Sequence, residues 1–147
     1  MANREFVAEV DVRTTPERAF DYFADHRHVA EVVDGVTRWD PIGAKTRGVG
    51  ARYNVEMITF GVPLRTVLRL DRWRRPSVIG WISESGLIKQ QGEFRFSPRD
   101  GGVRIALRIA YEPPASFVGA ALARRFDGAV RHRLELALVK IKGVLES

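Results

Sequence analysis

Few side chains in this sequence have the types and spacing that chemistry requires. His26 and His28 stand two apart, beside Asp25 and Glu31. Two imidazoles that hold a metal from one helix usually sit four apart so that both leave the same face. The remaining histidine, His132, lies far along the chain. This pattern predicts a partly exposed joint between two short helices and no metal site. Cysteine is absent, which excludes a thiolate nucleophile, a thiolate metal site and a disulfide framework. Acid–base catalysis needs a titratable group tuned by burial. The polar residues expected to face inward are Tyr53, Thr66, Gln90 and Tyr111, all neutral near pH 7 and suited to orienting a ligand by hydrogen bonds. Glu56 falls on the strand face opposite Tyr53. No catalytic residue is assigned, and no cofactor motif is present. Trp81 follows Gly80 in an apolar run and offers a large wall with one N–H donor, as a pocket lining does. Trp39 and Trp73 sit beside Asp40 and Arg72-Arg74-Arg75 near strand ends and read as rim packing.

The elements that must position these groups are legible from periodicity. Phe6, Ala8, Val10 and Val12 alternate with mostly polar residues and share one face of a strand. Thr15, Pro16 and Glu17 then supply a capping hydroxyl, a proline for the first helical position and an acid for the positive first turn. Ala19, Phe20, Phe23 and Ala24 repeat at helical spacing, and residues 26–33 continue as a second short helix after a break. From Gly35 onward, turn residues such as Phe60-Gly61-Val62-Pro63, Arg75-Pro76-Ser77 and Asp100-Gly101-Gly102 punctuate a succession of about six strands. Their alternation gives a sheet wet on one side and covered on the other. After Glu112-Pro113-Pro114 the period becomes helical: Val118, Leu122, Phe126, Val130, Leu134, Leu138, Ile141 and Leu145 mark a helix of about 30 residues, or roughly 45 Å. Its first half is rich in small residues, from Ala115 through Gly119, Ala120, Ala121, Ala123 and Gly128 to Ala129. Small side chains there either leave room against the sheet or simply favour helix.

At 147 residues the chain has the size of one domain, 1–147, long enough to bury roughly 70% of its unfolded surface. A hydrophobic fraction of 45% and a charged fraction of 29% exclude disordered and fibrous classes. No stretch reaches the length of a membrane span, so no transmembrane segment is expected, and the start of the chain has no apolar leader; the expectation is a cytoplasmic protein, monomer or homodimer. The charge of +6 comes from 20 Arg and 4 Lys against 18 acids. The run Arg72-Trp73-Arg74-Arg75, the pair Arg124-Arg125 and the triplet Arg131-His132-Arg133 raise a nucleic-acid or anionic-membrane reading. The arginines are otherwise scattered, which favours a solvated surface over a nucleic-acid face.

With its elements in this order the chain resembles the helix-grip (SRPBCC) superfamily of START lipid-transfer domains, Bet v 1-like proteins and bacterial polyketide cyclase/dehydrase-like proteins. The resemblance rests on Phe6-x-Ala8-x-Val10-x-Val12, then Thr15-Pro16-Glu17-x-Ala19-Phe20-x-x-Phe23-Ala24-Asp25, and Gly48-Val49-Gly50-Ala51. It continues through Gly92-Glu93-Phe94-Arg95-Phe96-x-Pro98, Tyr111-x-Pro113-Pro114 and the closing Leu138-x-x-Ile141-Lys142-x-x-Leu145-Glu146. The chain departs at Val32-Val33, where many members carry tryptophan, and at Gly102-Val103, where many carry Gly-Thr. The resemblance implies an α+β helix-grip fold: a curved antiparallel sheet of about seven strands, two short helices, and a long C-terminal helix across the concave face. It also implies a hydrophobic cavity between sheet and helix that binds a lipid, polyketide or isoprenoid-like small molecule without metal or cofactor. The expected lining is Tyr53, Met57, Thr66, Leu68, Trp81, Gln90, Phe94, Leu107, Tyr111, Leu122 and Phe126. A cyclase, aromatase or dehydratase acting on a polyketide-like substrate is the alternative function, and a basic nucleic-acid or membrane binder the second alternative.

Overall fold

The computed structural model describes residues 4–86, 89–112 and 119–147. Seven strands form one antiparallel sheet in the order β1-β7-β6-β5-β4-β3-β2. They are β1 (Arg4–Val12), β2 (Val36–Pro41), β3 (Arg52–Thr59), β4 (Val62–Arg74), β5 (Val78–Gly86), β6 (Gln90–Arg99) and β7 (Gly102–Tyr111). Between β1 and β2 come α1 (Pro16–Ala24), a 3-10 turn at His26–His28 and α2 (Val29–Val32), and the chain closes with α3 (Ala120–Glu146). This is the helix-grip fold expected from sequence. Ala115, Val118 and Pro113-Pro114, which the helical period and the resemblance had placed before α3, lie outside the described residues.

Local chemistry explains the joints. Thr15 caps α1 by accepting a hydrogen bond from the Arg18 backbone N at 3.1 Å, with Pro16 in the first turn. Thr59 and Val62 pair across a two-residue hairpin in which Phe60 (φ 51°) and Gly61 (φ 75°) both take positive φ, the geometry that matches the twist of the flanking strands. The long strand β4 shifts register against β5 between Val67 and Leu68 and again between Leu70 and Arg72. Such bulges bend a strand and increase its local twist, so β4 bends where the sheet must curl.

The concave face carries the apolar half of each strand: Tyr53 and Val55, Leu68 and Leu70, Phe94 and Phe96, and Val103, Ile105 and Leu107 are all buried. Leu134, Ala137, Leu138, Ile141 and Leu145 of α3 join them in one core. The first half of α3 joins a much smaller cluster, Phe126 with Leu64 and Tyr111. The helix is thus packed tightly at its C-terminal half and loosely at its start, as its change in side-chain size anticipates.

The convex face explains the scattered arginines. Arg104 pairs with Asp11 opposite it at 2.8 Å, Arg65 with Glu56 at 2.7 Å, and Arg52 and Arg69 share Glu84 at 2.7 and 3.0 Å. These are cross-strand pairs on a wet sheet face. The run at Arg72 divides: Arg72 bonds Glu93, Trp73 turns into the cavity, and Arg75 pairs with Asp21 of α1 at 2.9 Å. It therefore does not present a single basic strip. Among the described residues no helix is long and apolar enough to cross a membrane.

Candidate ligand-binding cavity

Between the concave sheet and the N-terminal part of α3 lies a hollow of about 110 Å³, counted as the space that water centres can occupy. A single water needs roughly 10–15 Å³ on that scale. Every element from α1 to α3 contributes: Phe23 and Ala24 at the floor, His26, Val29 and Val33 beside them, and Val36 and Trp39 from β2. The sheet adds Tyr53, Met57, Thr59, Leu68, Leu70, Trp73, Ile79, Trp81, Gln90, Phe94, Leu107, Ile109 and Tyr111, and α3 adds Phe126, Val130, Arg133 and Leu134.

Of the residues expected from sequence, Tyr53, Met57, Leu68, Trp81, Gln90, Phe94, Leu107, Tyr111 and Phe126 stand on this wall. Two do not. Thr66 is buried on the concave side, but its Oγ1 donates to the Ser85 carbonyl at 2.7 Å and its Cβ is covered by the backbone around Gly86. Leu122 shares the helical phase of Phe126 yet, in the first turn of α3, is 41% exposed. Helical phase identifies a face; it does not reveal where the partner surface ends.

Three further residues stand on the wall outside the expected lining. Trp39 and Trp73 line the hollow and are not rim packing. Trp73 meets the Phe20 ring edge-on at 5.2 Å, which holds the top of β4 against α1. His26 lines the hollow too, 5.8 Å from the Tyr53 ring, and its buried Nδ1 has no hydrogen-bond partner. His26 keeps the partly exposed place expected for it at the joint of the two short helices, where Asp25 caps the 3-10 turn through the Arg27 N at 3.0 Å. His28 instead stacks on Tyr22 at 4.0 Å and bonds the Tyr22 carbonyl at 2.6 Å. Among the described residues no three His, Asp or Glu side chains gather as a metal site.

The polar atoms of the wall are mostly engaged with the protein. Tyr53 donates its hydroxyl to the Thr46 carbonyl at 2.6 Å, and burial raises its pKa. Tyr111 donates to Asp127 of α3; burial, then this bond and the carboxylate's charge, push the phenol far above its usual value. Both hydroxyls therefore stay protonated and offer a ligand only their lone pairs. Among the described residues no Asp or Glu is on the wall. The arrangement can hold an apolar body and can accept or donate hydrogen bonds at a few fixed points.

Gly92 is required by this wall. A Cβ there would lie 2.6 Å from Trp81 Cζ2 and 2.8 Å from the Arg108 carbonyl, so the missing side chain is what lets the indole lie across β6. Gly92→Ala is expected to cost about 1–3 kcal/mol through overpacking and to push the indole into the hollow. Urea unfolding combined with Trp emission would register both effects; an unshifted emission maximum would mean that the ring is not seated on β6.

A curled antiparallel sheet gripping a long C-terminal helix over an apolar hollow defines the START/Bet v 1-like class. The sequence matches the family of polyketide cyclases/dehydrases and lipid transport proteins over residues 3–145, and the chain belongs to that family. Among solved structures it is similar to a Thermus thermophilus protein (TM-score 0.83, 19% identity, 95% of each chain covered). It is also similar to the Zhui aromatase/cyclase from a Streptomyces species (TM-score 0.79, 14% identity, covering 99% of this chain and 94% of that one). A START superfamily protein from Mycobacterium smegmatis aligns at TM-score 0.76 with 13% identity, covering 99% of this chain and 98% of that one. A sequence search of the curated proteins gave no match.

Proposed function

We propose that this protein binds a hydrophobic or amphipathic small molecule, of lipid, polyketide or isoprenoid type, noncovalently in the hollow between sheet and α3. The observation that carries the reading is the wall itself, apolar and aromatic over nearly all its length and free of carboxylates. A ligand burying roughly 300 Å² of apolar area gains about 7 kcal/mol at the usual 25 cal/mol per Å², before ordering costs, so micromolar affinity needs little polar help. Tyr53, Gln90 and Tyr111 fix orientation in this reading, and the apolar wall supplies burial.

Titration with the neutral probe N-phenyl-1-naphthylamine tests it. Trp39, Trp73 and Trp81 all line the hollow, so a bound probe is expected to quench most of the intrinsic fluorescence by energy transfer, with micromolar Kd. Trp81→Phe is expected to lose only part of that response. Unchanged emission at saturating probe would remove the binding reading. Native mass spectrometry for a co-purifying lipid or polyketide would identify the occupant.

One observation favours an enzyme of cyclase or dehydratase type as a second reading: the imidazole of His26, with a buried unpartnered Nδ1, is an acid–base group beside the hollow. Dehydration of a β-hydroxyketone, followed by enone absorbance, is then expected in the wild type and absent in His26→Gln. Rates equal to buffer in both would remove this reading.

A further inference from the structure

Arg133 is out of keeping with the wall it stands in. It lies midway along α3, half-buried, and lines a hollow that otherwise holds only apolar or uncharged polar groups and His26. No carboxylate lies within salt-bridge distance of it among the described residues, whereas fourteen other basic side chains, Arg4 and Lys142 among them, are paired. The acid whose charge reaches it, Asp34, is bonded to Lys140. Burial pulls the Arg133 pKa below its ordinary value, but a guanidinium remains protonated in proteins.

The guanidinium is also fixed in place. Nη2 donates to the Ile58 carbonyl at 2.8 Å and reaches Thr59 Oγ1 at 3.5 Å. Gly35, at φ 87°, has no side chain in its way: a Cβ there would lie 2.6 Å from Nη2 and 3.0 Å from Cζ. One nitrogen is thus pinned to β3, while Nε and Nη1 have no acceptor among the described residues. A half-buried cation without a counter-charge carries part of the desolvation cost of a buried one. Its natural relief is an anion that enters with the ligand, because charge-assisted bonds from a guanidinium to an oxyanion are the strong ones.

From this juxtaposition we infer that the ligand carries an oxyanion headgroup, carboxylate or phosphate, held by Nε and Nη1 of Arg133 while its apolar body lies along the aromatic wall. The inference rests on the binding reading above and adds the chemical class of the ligand's polar end.

The test compares decanoate, decan-1-ol and decyl phosphate at pH 8, each by displacement of N-phenyl-1-naphthylamine and by calorimetry. The wild type is expected to hold decanoate at least about tenfold more tightly than the alcohol. Arg133→Met is expected to bring the two within about threefold, chiefly by weakening decanoate, with a melting temperature equal to or above wild type. Arg133→Lys keeps the charge but not the fork, and is expected to retain part of the preference. Decyl phosphate binding as tightly as decanoate would assign the site to oxyanions in general; weaker binding would assign it to carboxylates, and either result supports the inference. Equal binding of acid and alcohol by the wild type, or an undiminished preference in Arg133→Met, would overturn it while leaving the cavity reading intact. If neither decanoate nor decan-1-ol displaces the probe or gives heat, the binding reading itself falls, and this inference with it.

Discussion

Glu93→Gln is expected to lower the free energy of unfolding by about 2–3 kcal/mol at pH 7, more than any other single change on the convex face. Glu93 is 5% exposed on β6 and is met by Arg72, Arg95 and Arg108. Arg72 reaches it from β4 by lying across Gly80, where a Cβ would stand 2.5 Å from Nε, and the same guanidinium donates to the Gly92 carbonyl at 3.0 Å. One carboxylate therefore ties β4, β6 and β7 together across the bend of the sheet. Removing its charge leaves three guanidinium groups converging on a neutral amide. The arginines are partly solvated, which holds the cost below that of a fully buried pair.

Burial raises the Glu93 pKa, but the Arg95 hydrogen bond and the charges of Arg95, Arg72 and Arg108 outweigh it and hold the carboxyl below its ordinary value. A group with a depressed native pKa contributes stability above its unfolded value, near 4.3 for Glu, and loses it as pH falls through the native value. The gap between wild type and Glu93→Gln in urea unfolding is therefore expected to be full at pH 6–7 and to narrow below about pH 4. A gap below about 1 kcal/mol, or one constant from pH 3 to 7, would mean that the cluster is merely solvated charge.

Glu93 also marks what the sequence did and did not disclose. Alternation placed it outside, opposite Phe94 and Phe96, and that assignment holds in the sheet. Its burial comes from arginines on β4 and β7, whose register no local pattern specifies. The same division runs through the cavity. Strand alternation sorts Tyr53, Leu68, Trp81, Phe94 and Leu107 to the concave face because the period of two is a property of the backbone. Trp39 and Trp73 were misread because their charged neighbours suggested a rim; a strand's alternate residues can be charged outside and aromatic inside at the same point. His26 sits at the joint expected of it, but its place on the wall depends on the 3-10 turn after Asp25, and Leu122 falls on the exposed first turn of α3. Arg133 drew attention only as part of a basic triplet. Its isolation depends on Asp34 being engaged by Lys140 and on the open space above Gly35, which are facts of three-dimensional packing.

The cavity's floor offers the second large effect. Phe23→Ala is expected to cost about 3–5 kcal/mol and, unlike other core truncations of that size, to alter which ligands bind. Phe23 is buried, stacked on Phe94 at 4.3 Å and set edge-on to Tyr22 at 5.1 Å, and its ring forms part of the wall where α1 closes the hollow. Truncation removes aromatic contact that the tightly packed surroundings cannot recover, and the lost volume is added to the hollow. Phe20→Ala is the control. Phe20 is equally buried one turn away, packed on Trp73 at 5.2 Å and Phe96 at 5.9 Å, but it is not on the wall. Both variants are expected to lose similar stability in urea. Only Phe23→Ala is expected to gain affinity for a neutral probe one ring larger than naphthyl, and to recover stability as that probe is added, by about 2.7 kcal/mol at one hundred times Kd. If the two variants respond alike to the larger probe, α1 serves the core without setting the depth of the cavity, and the ligand must lie nearer the α3 end.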